Sequence, residues 1–228
     1  KEVLQNLETE YRGTVFFDRY ILGDWKAAEG TIYMLFADET EKFLVNKVNE
    51  QLAIVTIGVD YGAGKSKIKF VASGITYNFR NVYVLDEIDL TGVYDTEQIY
   101  EKFIEFYKRV YDKYDKCQYA FCDYGALGNV ITLGLIRRCQ KERLPVQIGD
   151  CSKGLINDRI FLSSTLMAQR RFFILRKNTI ITKAFQEALW NDKKADERLD
   201  DGTTDIDSLD AFEYSINSFY ENLINSRR

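Results

Sequence analysis

The stretch QLAIVTIGVDYG, residues 51–62, governs how the rest of the chain is read. Its core is a nearly continuous apolar run rich in β-branched residues, the form of a central strand covered on both faces. It ends on Asp60, and Gly62 marks a turn. After it, IKFVASGITYNF (68–79) and NVYVLDEIDL (81–90) read as two more strands joined around Asn78 to Asn81. The opening unit is therefore expected to be a three-stranded antiparallel meander.

Beyond the meander the period changes. Residues 95–114 place Ile99, Phe103, Phe106, Val110 and Tyr114 three and four apart, predicting an amphipathic helix capped by Asp95 or Thr96. CQYAFCD (117–123) then reads as a strand, ALGNVITLGLIRRCQKE (126–142) as a helix, and LPVQIG (144–149), which holds Pro145, as a strand at an edge or at its own start. A helix over 154–169, a short strand RFFIL, a helix TIITKAFQEALW, a polar loop from 191 to 204 and one closing helix from Asp205 complete an α/β pattern. In the closing helix Leu209, Phe212, Ile216 and Phe219 form the apolar stripe. Residues 1–48 show no sustained period and read as an arm or linker, with the domain proper from 49 to 228.

Composition narrows the chemistry. The chain has 228 residues, 46% of them hydrophobic, so it can bury a substantial core. It contains no histidine, which rules out Ser-His and Cys-His nucleophile systems and histidine-ligated zinc. Cys117, Cys122, Cys139 and Cys151 lack the spacing of a metal or disulfide framework and read as buried free thiols. No apolar run is long enough to span a bilayer, and no signal-peptide pattern opens the chain, so a soluble, cytosolic protein is expected. The formal net charge of -4 hides segregation. Acids crowd residues 192–213, while Lys153, Arg159, Arg170, Arg171, Arg176 and Lys177 form a basic tract.

Three acids stand out: Asp60 and Asp123, each closing a strand before a glycine turn, and Asp210 inside the closing helix. Singly, Asp60 and Asp123 are ordinary turn residues. Together with Asp210, a poor helix former beside an apolar stripe, they outline a site for Mg²⁺ or Mn²⁺, which favour carboxylate oxygens. Asp207 lies three residues before Asp210 and shares its helix face, expected at the edge of the sheet, whereas Asp205 reads as the cap. Lys153, beside Gly154 in a turn, is the basic residue placed to meet a phosphate; Arg159 and Lys65 are further candidates for DNA contact. GVDYGAGKS is not a Walker A loop, because Val59 stands where the first glycine is required. An actin-like ATP-binding module, through Asp60, Gly62 and Lys65, and a non-catalytic DNA-docking domain are the alternatives.

The runs VTIGVDYG, CDYGALGNVITLGL, SKGLINDRIFLSSTLMAQRRFFI, ALWNDK and DIDSLDAFEYSI, in this order, resemble the nuclease domain of tailed-bacteriophage terminase large subunits over residues 51–228. The ending of Asp210, Ala211 and Tyr214 is the most specific part, and LGDWKAAEGTIYMLF (22–36) looks like the segment joining such a nuclease to its packaging ATPase. The resemblance implies an RNase H-like mixed sheet flanked by helices, and a nuclease that cuts concatemeric double-stranded phage DNA in the host-cell cytoplasm. It further implies metal binding by Asp60, Asp123 and Asp210, two Mg²⁺ or Mn²⁺ ions, and, in a longer protein, an ATPase domain, a small terminase subunit and a portal as partners. Where many members carry a histidine, this chain has Asp207.

Overall fold

The computed structural model describes residues 30–62, 67–92, 94–125, 128–191 and 197–226. Its elements are α1 (Met34–Asp38), β1 (Leu44–Val45), β2 (Leu52–Asp60), β3 (Ile68–Thr76), β4 (Val82–Leu90), α2 (Thr96–Tyr114), β5 (Tyr119–Cys122), α3 (Gly128–Lys141), β6 (Gln147–Asp150), α4 (Ile156–Ala168), β7 (Phe172–Leu175), α5 (Thr179–Glu187), α6 (Ile206–Asn217) and α7 (Tyr220–Asn225). The strands form one mixed sheet in the order β1-β7-β4-β3-β2-β5-β6. The predicted meander is present: β3 runs antiparallel to both β2 and β4, and Asn78 and Phe79 take positive φ in the turn between β3 and β4. The strands β5, β6, β7 and β1 join in parallel, and β6 lies at one edge, as Pro145 predicts.

Strand alternation separates two apolar cores, one on each face of the sheet. Val55, Ile57, Val59, Phe70, Ala72 and Leu85 point to α2 and α3, meeting Phe103, Phe106 and Leu135. Val71, Ile75, Val84 and Ile174 point to the other face, meeting Leu166, Phe185, Leu209, Phe212 and Ile216. Helix α2 opens with a complete capping box: Asp95 accepts from the Gln98 N–H, and Gln98 accepts in return from the Asp95 N–H.

Three expectations need correction. The described part of the opening segment is not an arm: Ile32, Tyr33, Phe36 and Phe43 are buried in the second core, and β1 extends the sheet. Spaced aromatics followed by a two-residue strand carry no period long enough to read from sequence. The closing helix is two helices, α6 and α7, separated at Ser218 and Phe219, where the Phe219 ring turns back to Tyr119 and Phe121. Helix α6 lies over the middle of the sheet and not at its edge, crossing β2 and β3. Gly58 is the reason, since a Cβ there would sit 1.8 Å from the Ala211 carbonyl oxygen. Among the described residues no helix is long and apolar enough to cross a membrane.

Candidate metal centre

The face of β2 and β3 beneath α6 becomes more polar toward one end. Thr56 Oγ1 donates to the Ser215 carbonyl at 2.7 Å, and Ser73 Oγ lies 2.6 Å from Ser215 Oγ. Gly58 comes next along β2, and Asp60 is the last residue of the strand on this face. The parallel neighbour β5 ends in register, with Val59 opposite Cys122, and the Asp123 N–H donates to the Val59 carbonyl at 3.1 Å. Asp60 and Asp123 therefore emerge side by side at the carboxyl ends of adjacent parallel strands, the usual position of chemistry in open α/β sheets. Asp210 arrives on α6, anchored to the same strand by the Ala211 approach to Gly58.

Asp60 is only 7% exposed. Among the described residues its one hydrogen bond comes from the Gly62 N–H to Oδ1, at 3.1 Å. Burial first, and then the neighbouring charges of Asp210, Asp207 and Asp123, push its carboxyl up to about 8. The outer acids are each drawn to a cation. Lys153 Nζ lies 2.7 Å from Asp123 Oδ1 and above the Tyr214 ring, while the Gly125 N–H donates to the same oxygen. Asp210 Oδ1 accepts from Arg159 at 2.9 Å and from Arg198 at 3.1 Å. Asp207 Oδ2 accepts the Lys67 backbone N–H at 3.2 Å, and its carboxyl is raised by burial.

The donor chemistry suits a hard divalent cation, because two carboxylates close adjacent strands and a third stands on the helix packed over them, while burial pushes the thiols Cys122 and Cys151 up to about 12. Among the described residues no three acids or thiols already stand as a ligand cage. Asp123 is paired with Lys153, and Asp210 with Arg159 and Arg198.

The basic candidates separate. Lys153 is half exposed at the site, as a phosphate contact requires. Arg159 lies buried beneath Asp210 and Glu213 instead of on an open surface. Lys65 lies outside the described residues. Asp205 caps α6, accepting from the Ser208 N–H, and is held by Lys69, which is 1% exposed and also pairs with Asp89. Lys69, Arg198 and Glu213 were not singled out from the sequence. A lysine at an inward position of the apolar strand IKFVASG was the available signal for Lys69. Arg198 sits in a polar loop, where nothing local marks it as buried.

No protein-family profile and no curated protein matches the sequence. Comparison of structures does find relatives. The chain superposes on the large terminase of a thermophilic bacteriophage with a TM-score of 0.75 at 19% identity, covering 96% of this chain and 52% of that one. The fold is that of a large terminase nuclease domain. The nuclease domain of the P22 large terminase matches at TM-score 0.60 and 10% identity, over 85% of this chain and 97% of that domain. The nuclease domain of the large terminase from bacteriophage SPP1, a structure with bound Mn, matches at TM-score 0.53 and 18% identity, over 77% and 96%. The chain thus spans about half the length of the thermophilic phage protein and nearly all of the two isolated nuclease domains. These likenesses bear out the RNase H-like mixed sheet expected from the sequence.

Proposed function

We propose that this chain is a divalent-metal-dependent DNA endonuclease that cuts concatemeric double-stranded phage DNA during genome packaging. What supports the reading is that Asp60 and Asp123 close adjacent parallel strands while Asp210 stands on the helix packed over Gly58 of the same strand, in a fold shared with a nuclease domain whose structure holds Mn. Asp60, Asp123 and Asp210 would hold two Mg²⁺ or Mn²⁺ ions, which, when bound, would activate a water and stabilise charge on the leaving oxygen.

The chain's own residues position and balance charge. Asp60, held by the Gly62 N–H, is an acid whose ionised form burial and the neighbouring acids disfavour, so a bound cation would relieve it. Lys153 neutralises Asp123 in the free protein and is exposed enough to turn to a phosphate when DNA arrives. Tyr214, whose hydroxyl is raised by burial and then by Asp210, lies under both Lys153 and Arg159 and keeps those cations at the site. Asp207, bonded to the chain entering β3, is a further acid beside the centre. In the whole protein, the packaging ATPase, the small terminase subunit and the portal would be its associates, in the host cytoplasm.

Incubation with supercoiled plasmid and Mn²⁺ tests the reading. Nicking that disappears in Asp60→Asn and Asp210→Asn is the expected result, and metal-dependent cutting retained by either variant would falsify the assignment. Lys153→Ala should weaken DNA binding and flatten its salt dependence by about one phosphate contact. Labelled ATP bound by the same chain, with no nicking, would favour the actin-like alternative; DNA retention alone would favour a docking domain.

A further inference from the structure

Beneath Asp210 lie two buried arginines and a buried glutamate that the proposed reaction does not itself use. Arg198, 3% exposed, reaches Asp210 Oδ1 with Nη1 and Glu213 Oε1 with Nη2. Arg159 Nη1 lies 2.9 Å from Asp210 Oδ1 and 3.0 Å from Glu213 Oε2. Glu213, one helical turn after Asp210 and 1% exposed, also accepts the Tyr33 hydroxyl at 3.2 Å. Burial pushes the Glu213 carboxyl up, but with two guanidiniums in contact we assign it as ionised. Two acids and two arginines then cancel.

Both arginines meet the same oxygen of Asp210. Among the described residues these are the hydrogen bonds and ion pairs of that carboxylate, and none of them involves Oδ2. We propose that Arg198 and Arg159, balanced by Glu213, are positioning residues for Asp210, holding Oδ1 so that Oδ2 alone is presented to a divalent cation. This rests on the metal-centre reading. A carboxylate on a helix can otherwise turn about its side-chain torsions and offer either or both oxygens. Arg198 restricts that freedom, because its planar guanidinium reaches Asp210 with Nη1 and Glu213 with Nη2, a two-nitrogen reach that a lysine ammonium lacks, while Arg159 adds a second contact to each acid through Nη1. The buried pair at Glu213 and the Tyr33 hydroxyl also tie this orientation to the segment that precedes β1.

The test uses the native chain, Arg198→Lys, and the double variant Arg198→Met with Glu213→Leu, which removes one charge of each sign and keeps the buried set neutral. Mn²⁺ affinity is read by calorimetry, cleavage by kcat and KM at saturating Mn²⁺, and folding by thermal melting. The double variant should melt near the native temperature and bind Mn²⁺ with affinity within a few-fold of native. Its kcat should fall roughly 10- to 100-fold with KM little changed, the cost of a misplaced ligand. Arg198→Lys should not restore kcat. Native kcat in the folded double variant, full rescue by lysine, or parallel loss of melting temperature, Mn²⁺ affinity and kcat would each overturn the positioning role. Native protein that neither binds Mn²⁺ nor nicks plasmid would overturn the metal-centre reading and this inference with it.

Discussion

Each face of the sheet carries an apolar core, but the face under α6 also carries a row of buried polar groups. The face under α2 and α3 is an ordinary apolar interior, in which Phe70 meets Phe103 edge-on and Leu85, Val110 and Leu135 fill the remaining space. The face under α6 carries Thr56, Ser73, Lys69 and Asp60 in the strands, opposite Ser215, Glu213 and Asp210 in the helix, all close to or beneath one active end. Buried polar groups cost stability unless each is partnered, and a partnered set fixes one arrangement. Both faces therefore hold the domain together through their apolar cores, and the second also fixes one arrangement of its buried polar groups.

Glycine substitutions are expected to separate the two faces most widely. Gly58→Ala would drive a methyl into the Ala211 backbone, which can yield only if α6 moves, so a loss of about 3 kcal/mol or more is expected in denaturant unfolding. Gly134→Ala on the other face would place a methyl 1.8 Å from the Tyr100 hydroxyl oxygen and 2.6 Å from the ring carbon that bears it, so that ring must shift; because a side chain and not a helix backbone has to give, and helix propensity rises, a smaller loss of about 1–2 kcal/mol is expected. Equal effects at the two positions would remove the distinction.

Next in size is Lys69→Met, which leaves Asp89 and the cap residue Asp205 without their buried cation. A loss of about 3 kcal/mol is expected, and amide exchange should rise first in the opening turn of α6. Protection lost uniformly across the sheet would mean that Lys69 supports the whole fold and not the helix start.

Asp86 is the polar exception on the apolar face and refines the contrast at smaller scale. Burial tends to raise its carboxyl, but Lys177 and Arg109 hold it below the usual range. A depressed carboxyl stabilises the fold above its unfolded value, near pH 4, and that contribution is lost as pH falls through the lower folded value. Asp86→Asn should therefore cost about 1 kcal/mol at neutral pH, with the gap to native closing in melts at progressively lower pH. A gap that widens in acid would reverse the sign assigned to this pair. Tyr33→Phe, which removes a single hydrogen bond to Glu213, should have the smallest effect, about 1 kcal/mol or less in the same melts.

Local pattern was sufficient for most of the architecture. The run ending at Asp60, the two strands after it, the period of α2 and its Asp95 cap, and Pro145 before an edge strand all depend on neighbours within one element. The three acids were legible for the same reason, since each stands at a strand end or beside a helical stripe. Other features were not legible because their cause lies elsewhere in the chain. Phe36 and Phe43 are core residues only because β7 and α5 come to meet them, and α6 crosses the sheet centre because Gly58 makes room.

Periodicity, caps and turn residues act over a few positions, so the order of elements and the meander could be read from the chain directly. Which cation each acid faces came only from packing, since charge pairing depends on side chains far apart in the chain. Arg159 was expected on a DNA surface and lies under Asp210, and Arg198, inconspicuous in a polar loop, lies beside it. Both guanidiniums are buried where a carboxylate pair needs balancing, a demand that exists only once α4, the loop before α6 and α6 itself have packed together.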